Sequence, residues 1–258
     1  CMTIAERHKF ILNKINKEGF VNVADLSKEM EVTTVTVRKD LKLLEEKGLL
    51  YRSHGSATLV SPYVNDRPVN EKNLIQIGEK RGIASKAAEL ISENEAVIIG
   101  SGTTMMALAN AIPAKMKLTV LTGAMNVTMA LENHPNLEVI QLGGVVRKSS
   151  SSVVGHYAEH MLKSFSCSKL FLGVDGISPE YGLTTSNMME AHLNAAMIKS
   201  SLKSIVLTDS TKFGKKGFGK ICEIEDVDLI ITDAGISKSY KESLEEKGVE
   251  VLIAENGS

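Results

Sequence analysis

Apolar residues at Val37, Leu41 and Leu44 recur at i, i+4 and i+7, which places them on one face of a helix beginning at Thr34. The opposite face carries Val35, Lys39 and Lys42, with Thr36 and Arg38 at its edges. Upstream, Ile4, Phe10 or Ile11, and Ile15 sit near helical spacing over residues 3–18. Phe20 to Val23 is a short extended step, and Ala24 to Met30 is a second helix with Leu26 and Met30 turned inward. The third helix stops at Lys47-Gly48, where glycine suits a left-handed cap. Leu49 to Arg52 and Ala57 to Val60 then flank a His54-Gly55-Ser56 turn and read as a β-hairpin. Three helices and a hairpin over residues 1–60 predict a winged helix-turn-helix.

Beyond it the pattern changes twice. Residues 61–75 contain Pro62, Pro68, Asn65, Asp66 and Asn70 without apolar periodicity, so they read as a linker. From 76 to 258, helical stretches alternate with short apolar runs. Helices are expected around 77–92, 104–111, 126–132, 154–164, 188–201 and 237–247. Strands are expected at 96–99, 118–121, 137–142, 169–172, 204–207, 228–231 and 249–253. Such alternation predicts an α/β domain built on a mostly parallel sheet with both faces covered.

Composition narrows the function classes only modestly. Mean hydropathy is near zero, and no apolar run approaches the ~20 residues that span a bilayer. The first fifteen residues are charged and amphipathic, unlike a secretory signal, so a cytoplasmic protein without membrane attachment is expected. Cys1, Cys167 and Cys222 lack any C-x-x-C spacing, which argues against disulfides and a cysteine zinc site. Of the histidines His8, His134, His156, His160 and His192, only His156 and His160 share an i, i+4 spacing, and no metal or cofactor is expected. Residues 1–60 hold 10 Lys/Arg against 8 Asp/Glu, while the remainder holds 20 against 23. The small positive excess lies where a DNA-binding module would need it.

Two sets of residues carry candidate chemistry. A groove-reading helix needs an apolar side for docking and an outer side with small polar groups, methyls and cations. Thr34, Val35, Thr36, Arg38, Lys39 and Lys42, with Arg52 and His54 on the wing, supply that outer side. The alternative is a helical interaction domain with an ordinary solvated face. The second set begins where the strand ending at Ile99 runs into Gly100-Ser101-Gly102-Thr103-Thr104 and then a helix. Glycines permit close backbone approach, helix N–H groups point outward, and the Ser101, Thr103 and Thr104 hydroxyls add donors, together a phosphate cradle. It lacks the G-K-[ST] of a P-loop, and a purely structural turn is the competing reading. Ligands of open parallel sheets lie beyond the strands' carboxyl ends, where Thr122-Gly123, Gly143-Gly144, Asp175, Asp209 and Lys212 also fall. Lys212 could pair with a phosphate, and Asp175 and Asp209 could accept sugar hydroxyls.

These motifs together resemble the DeoR-type family of bacterial sugar-catabolism regulators. The N-terminal resemblance rests on Val23-Ala24-Asp25-Leu26, Val32-Thr33-x-x-Thr36-Val37-Arg38-Lys39-Asp40-Leu41, Leu44-Glu45-x-x-Gly48-Leu49-Leu50 and Arg52-x-His54-Gly55. The C-terminal resemblance rests on Gly102-Thr103-Thr104, Leu142-Gly143-Gly144, Gly182-Leu183-Thr184-Thr185 and Asp209-Ser210-x-Lys212-Phe213-Gly214. The family has Ser where Thr33 stands and Gly where Ser56 stands; Asp is common at Gly100 and Asn at Gly123. The resemblance implies an effector domain related to ribose-5-phosphate isomerase, a phosphorylated sugar effector, and repression of a sugar operon. It implies phosphate binding by Ser101, Gly102, Thr103 and Thr104, and a sugar site lined by Gly144, Asp175 and Lys212. A double-stranded DNA operator and a homo-oligomer, dimer or tetramer, are the expected partners. A sugar-phosphate isomerase with an appended DNA-binding domain, or a DNA-bound structural protein, are the alternatives.

Overall fold

The computed structural model describes residues 2–47, 49–53, 55–58, 69–72 and 75–257. Its N-terminal part comprises α1 (Ile4–Glu18), β1 (Phe20–Asn22), α2 (Val23–Glu29), α3 (Thr34–Glu46), β2 (Tyr51–Ser53) and β3 (Ser56–Thr58). The sequence supplies each start signal. Thr3 and Glu6 form a reciprocal capping box on α1, Asn22 caps α2, and the Thr33 hydroxyl accepts from Thr36 N–H to cap α3. Thr33 thus supplies the same capping oxygen as the family's serine. The antiparallel order β1-β3-β2 closes the hairpin against the helices. Ile11, Ile15, Leu26, Val37, Leu41, Leu44 and Leu50 enclose a core of their own. The expected Gly48 cap, His54 of the hairpin turn, and Leu59 and Val60 of its second strand lie outside the described residues.

The second part contains α4 (Val69–Lys72), α5 (Ile77–Ala88), β4 (Glu95–Ile99), α6 (Thr103–Ala111), β5 (Leu118–Thr122), α7 (Met125–Leu131), β6 (Leu137–Gln141), β7 (Val145–Arg147), β8 (Ser152–Val154), α8 (His156–Leu162), β9 (Cys167–Leu172), β10 (Gly176–Ser178), β11 (Gly182–Thr185), α9 (Met188–Lys199), β12 (Ser201–Leu207), β13 (Gly219–Cys222), β14 (Leu229–Asp233), α10 (Lys238–Glu245) and β15 (Glu250–Ala254). Seven strands form one parallel sheet in the order β15-β14-β12-β9-β4-β5-β6. Alternation along β4 shows how both faces are covered. Val97 and Ile99 enter a cluster with Ile83, Ala87, Met105, Leu108 and Val127 of α5, α6 and α7. Ile98 enters the opposite cluster with Ala158, Leu162, Ala191, Met197 and Leu244 of α8, α9 and α10.

Three additions were not expected from the pattern: the β7–β8 hairpin, the antiparallel sheet β10-β11-β13, and α4 inside the expected linker. Their strands are three or four residues long, too short for an alternation to declare itself. The helix expected over 77–92 ends at Ala88, and several sheet strands begin earlier than expected, β12 at Ser201. No helix among the described residues is long and apolar enough to cross a membrane.

Candidate functional site

The outer face of α3 is presented as its periodicity requires. Val37, Leu41 and Leu44 are buried, whereas Thr34, Val35, Arg38, Lys39 and Lys42 are exposed. Val35 is 57% exposed, a methyl-bearing side chain standing in water where an isolated domain has no use for it. Thr36 is half-buried, its hydroxyl 3.0 Å from that of Thr33. Lys42 lies 3.8 Å from Glu46 one turn on.

Two carboxylates organise this face. Asp40 is buried on the docking side of α3, where Arg7 of α1 grips it through Nε to Oδ2 at 2.6 Å and Nη2 to Oδ1 at 3.0 Å. The pair fixes α1 against α3. The only sequence signal for it was a charge at i+3 from Val37 on the apolar face. Glu45 accepts from Arg52 Nε at 2.6 Å and from Arg52 N–H at 3.0 Å, fastening β2 to α3. Burial pushes Glu45 up, but the Arg52 bonds overcome it and hold the carboxyl below its usual value. Arg52, expected as a phosphate contact on the wing, thus has its Nε committed to Glu45 while its side chain stays 36% exposed. His54 lies outside the described residues.

The second site is a cavity of about 390 Å³ beyond the carboxyl ends of β4, β9 and β12. Ser101 to Thr104 follow β4, Gly173 to Asp175 follow β9, and Thr208, Asp209, Thr211 and Lys212 follow β12; all of them line it. Gly102 adopts φ +120 as the N-cap of α6 and offers no side chain to the helix, so the first-turn N–H groups are left for a ligand. Among the expected residues, Ser101, Gly102, Thr103, Thr104, Asp175 and Lys212 are thus brought together. The Ser101 hydroxyl donates to Glu190 Oε1 at 3.0 Å.

Gly144 is a correction. It does not line the cavity; a Cβ there would meet the Val154 carbonyl at 2.8 Å, so its glycine serves the close approach of β7 to β8. Gly100 also has a packing reason, since a Cβ would stand 3.3 Å from the Phe171 carbonyl on β9. Gly123 lies instead beside a small adjoining recess with Ser152, Leu193 and Asn194.

The cavity has polar walls that the spacing of residues did not disclose. Lys72 of α4 donates to Asp175 Oδ1 at 2.8 Å. Lys80 is 7% exposed, its Nζ donating to the Lys72 and Ile75 carbonyls at 2.6 Å each. Arg147 at the end of β7 lies 3.7 Å from Glu190, which also accepts from the Thr185 hydroxyl at 2.9 Å. Burial lowers the Lys80 pKa, aided by the nearby charges of Lys212 and Lys72 and opposed by Asp209. Burial pushes Asp175 up, yet Lys72, Lys212 and the Ser186 N–H more than offset it and hold the carboxyl below its ordinary value. Five cationic side chains, Lys72, Lys80, Arg147, Lys212 and Lys215, share the lining with Asp175, Glu190 and Asp209. Two positive charges are left in formal excess. An anion with hydroxyl groups fits such a lining: the charge meets the α6 terminus and lysines, and the hydroxyls meet carboxylates.

Comparison with known proteins matches both parts of the chain. Residues 7–63 match the DeoR-like helix-turn-helix domain, and residues 75–234 match the DeoR C terminal sensor domain. A putative aga operon transcriptional repressor of Escherichia coli O157:H7 is 37% identical, covering 96% of this chain and 93% of its own length. The transcriptional regulator GlpR of Haloferax volcanii is 31% identical over 97% of this chain and 98% of its own. A lactose phosphotransferase system repressor of Staphylococcus epidermidis is 33% identical over 86% and 89%. Among solved structures, ribose 5-phosphate isomerase A of Methanocaldococcus jannaschii overlaps 56% of this chain and 55% of its own at 12% identity and a TM-score of 0.39, too distant to bear on function. With a matched DNA-binding domain, a matched sensor domain and full-length relatives among transcriptional regulators, the chain belongs to the DeoR family of helix-turn-helix transcriptional regulators.

Proposed function

We propose that this protein represses a sugar-utilisation operon in the cytoplasm. It binds a repeated double-stranded DNA site as a dimer or tetramer through α3 and the wing, and a phosphorylated sugar in the cavity controls it without turnover. The observation that carries the effector reading is the convergence of Lys212 and an uncapped α6 terminus on a cavity with excess positive charge. The names of relatives, an aga operon repressor and a lactose phosphotransferase system repressor, support a sugar operon as the target. Asp175 supports sensing over isomerisation: an ion-paired carboxylate held below its ordinary pKa is a poor base for moving a carbon-bound proton.

Calorimetry with a series of pentose and hexose phosphates, each beside its unphosphorylated sugar, tests the reading. One ester binds and its parent sugar binds far more weakly. Thr103→Ala or Lys212→Ala weakens that ester by roughly ten- to a hundredfold, the cost of one charge-assisted hydrogen bond of about 1.5–3 kcal/mol. Equal affinity for ester and sugar overturns the phosphate assignment. Turnover of any ester overturns the non-enzymatic one.

A further inference from the structure

Phe20 of β1 is only 3% exposed, yet it stands outside the hydrophobic cluster of its own domain. Its cover comes from the sensor domain. The ring stacks on Tyr240 of α10, with centroids 3.5 Å apart and planes 23° apart. Tyr240 packs in turn on Phe213 at 5.6 Å, and its hydroxyl lies where a Cβ on Gly214 would come within 2.4 Å. Phe213 and Gly214 directly follow Lys212, so the segment 209–214 has one side in the effector cavity and the other under Tyr240. Beside this stack, Asn22 Nδ2 donates to Glu180 Oε1 at 3.5 Å. Gly55 of the wing faces the same residue, a Cβ there standing 3.9 Å from Glu180 Cγ.

We propose that Tyr240 and Glu180 form an autoinhibitory docking surface for the winged helix of the same chain, and that effector binding strengthens it through the 209–214 segment. The proposal rests on the reading of α3 and the wing as the DNA face. A wing that meets duplex DNA approaches phosphates, and here a carboxylate already stands against it; phosphate and Glu180 repel each other across that spot. The wing therefore leaves Glu180 when it engages a duplex, and Phe20 loses its cover on Tyr240. An effector that fixes Lys212 also fixes Phe213 and Gly214, the floor on which Tyr240 rests. By linkage, a ligand that favours the docked state weakens DNA binding by the same factor that DNA weakens the ligand.

The chain contains no tryptophan, so Phe20→Trp in the full-length protein makes a single fluorescent reporter of docking. Its emission is blue-shifted in the free protein and moves to the red on saturation with an arbitrary duplex of about three helical turns. In wild-type protein, Phe20→Ala and Glu180→Gln each tighten duplex binding by about five- to twentyfold, the range of ordinary intersite coupling. Phe20 lies outside the core of its domain and Glu180 is a surface acid, so neither change removes folding contacts that the domain cores depend on. Inorganic phosphate, the minimal probe of the cradle, weakens duplex binding of the wild type more than chloride at equal ionic strength and leaves Phe20→Ala unaffected. Duplex affinity unchanged or reduced in both variants, or tryptophan emission indifferent to duplex, overturns the proposal alone. Absence of duplex binding in every variant overturns the DNA reading and the proposal with it.

Discussion

Lys72, the last residue of α4, is ion-paired at 2.8 Å with Asp175, which follows β9 more than one hundred residues later in the chain. The segment that joins the two domains is thereby tied to the carboxylate at the centre of the ligand cavity. Val69 N–H adds a second tie to the Ser149 carbonyl at 2.8 Å.

That pair sets a pH dependence. The Asp175 pKa is depressed in the folded chain, so its contribution to stability is complete above the unfolded value near ~3.9 and disappears as pH falls through the folded value. Thermal melts between about pH 6 and pH 3 should show the wild type losing more stability than Asp175→Asn below about pH 4. Parallel curves would remove Asp175 as the source.

Arg38 is exposed on α3, the helix proposed to read base edges. Arg38→Ala should cost on the order of 1–3 kcal/mol of binding to the protein's own upstream region and relax its preference over random duplex. Lys39→Ala should instead weaken both duplexes alike and reduce the salt slope by roughly one. Fluorescence anisotropy at several salt concentrations separates the two; a uniform loss from Arg38→Ala would move that residue to the phosphate backbone.

Asp40 is paired with Arg7 at 2.6 Å inside the N-terminal domain, with His8 Nε2 3.3 Å from its other oxygen. Removing the guanidinium alone leaves a buried carboxylate, which costs about 3–5 kcal/mol. Arg7→Met should therefore melt the winged helix earlier while the parallel-sheet domain keeps its own transition. Arg7→Met with Asp40→Leu should recover much of the loss. Calorimetric scans of the full chain decide it, and a double variant no better than the single would show that the pair does more than neutralise charge.

Gly82 separates two opposing effects. In an isolated helix, glycine to alanine is worth about 1 kcal/mol in favour of alanine. Here a Cβ would stand 1.9 Å from the Glu255 carbonyl, on the face where the chain's final residues cross α5 and Gly257 N–H meets the Gly78 carbonyl at 3.1 Å. The clash dominates, so Gly82→Ala should lower the melting temperature and raise proteolysis after residue 254. A stabilised variant would mean the terminal residues add nothing to the fold.

The α3 helix was legible because Val37, Leu41 and Leu44 state its docking face within eight residues, and the glycine turn ahead of α6 because a strand, two glycines and a helix start lie side by side in the chain. Lys72, Lys80, Arg147 and Glu190 were not. Each reaches the cavity from a different element, and nothing local marks a lysine in a helix as one that will bury its ammonium on two carbonyls. Arg52 had a second contact that the sequence did not disclose: Glu45, seven residues earlier on α3, accepts from its Nε once the hairpin folds back. Gly144 misled because a close backbone approach and a ligand approach favour the same residue type.

Val69, Lys72 and Ile75 belong to the stretch that reads as a linker, yet they form part of the cavity wall. A fragment begun at residue 76, the natural cut for isolating the ligand-binding half, would open that wall to solvent. It would strip Asp175 of its lysine and leave the Lys80 ammonium without the carbonyls it holds. Affinities measured on such a fragment would describe a different receptor, so fragments meant for ligand screening should start before Val69.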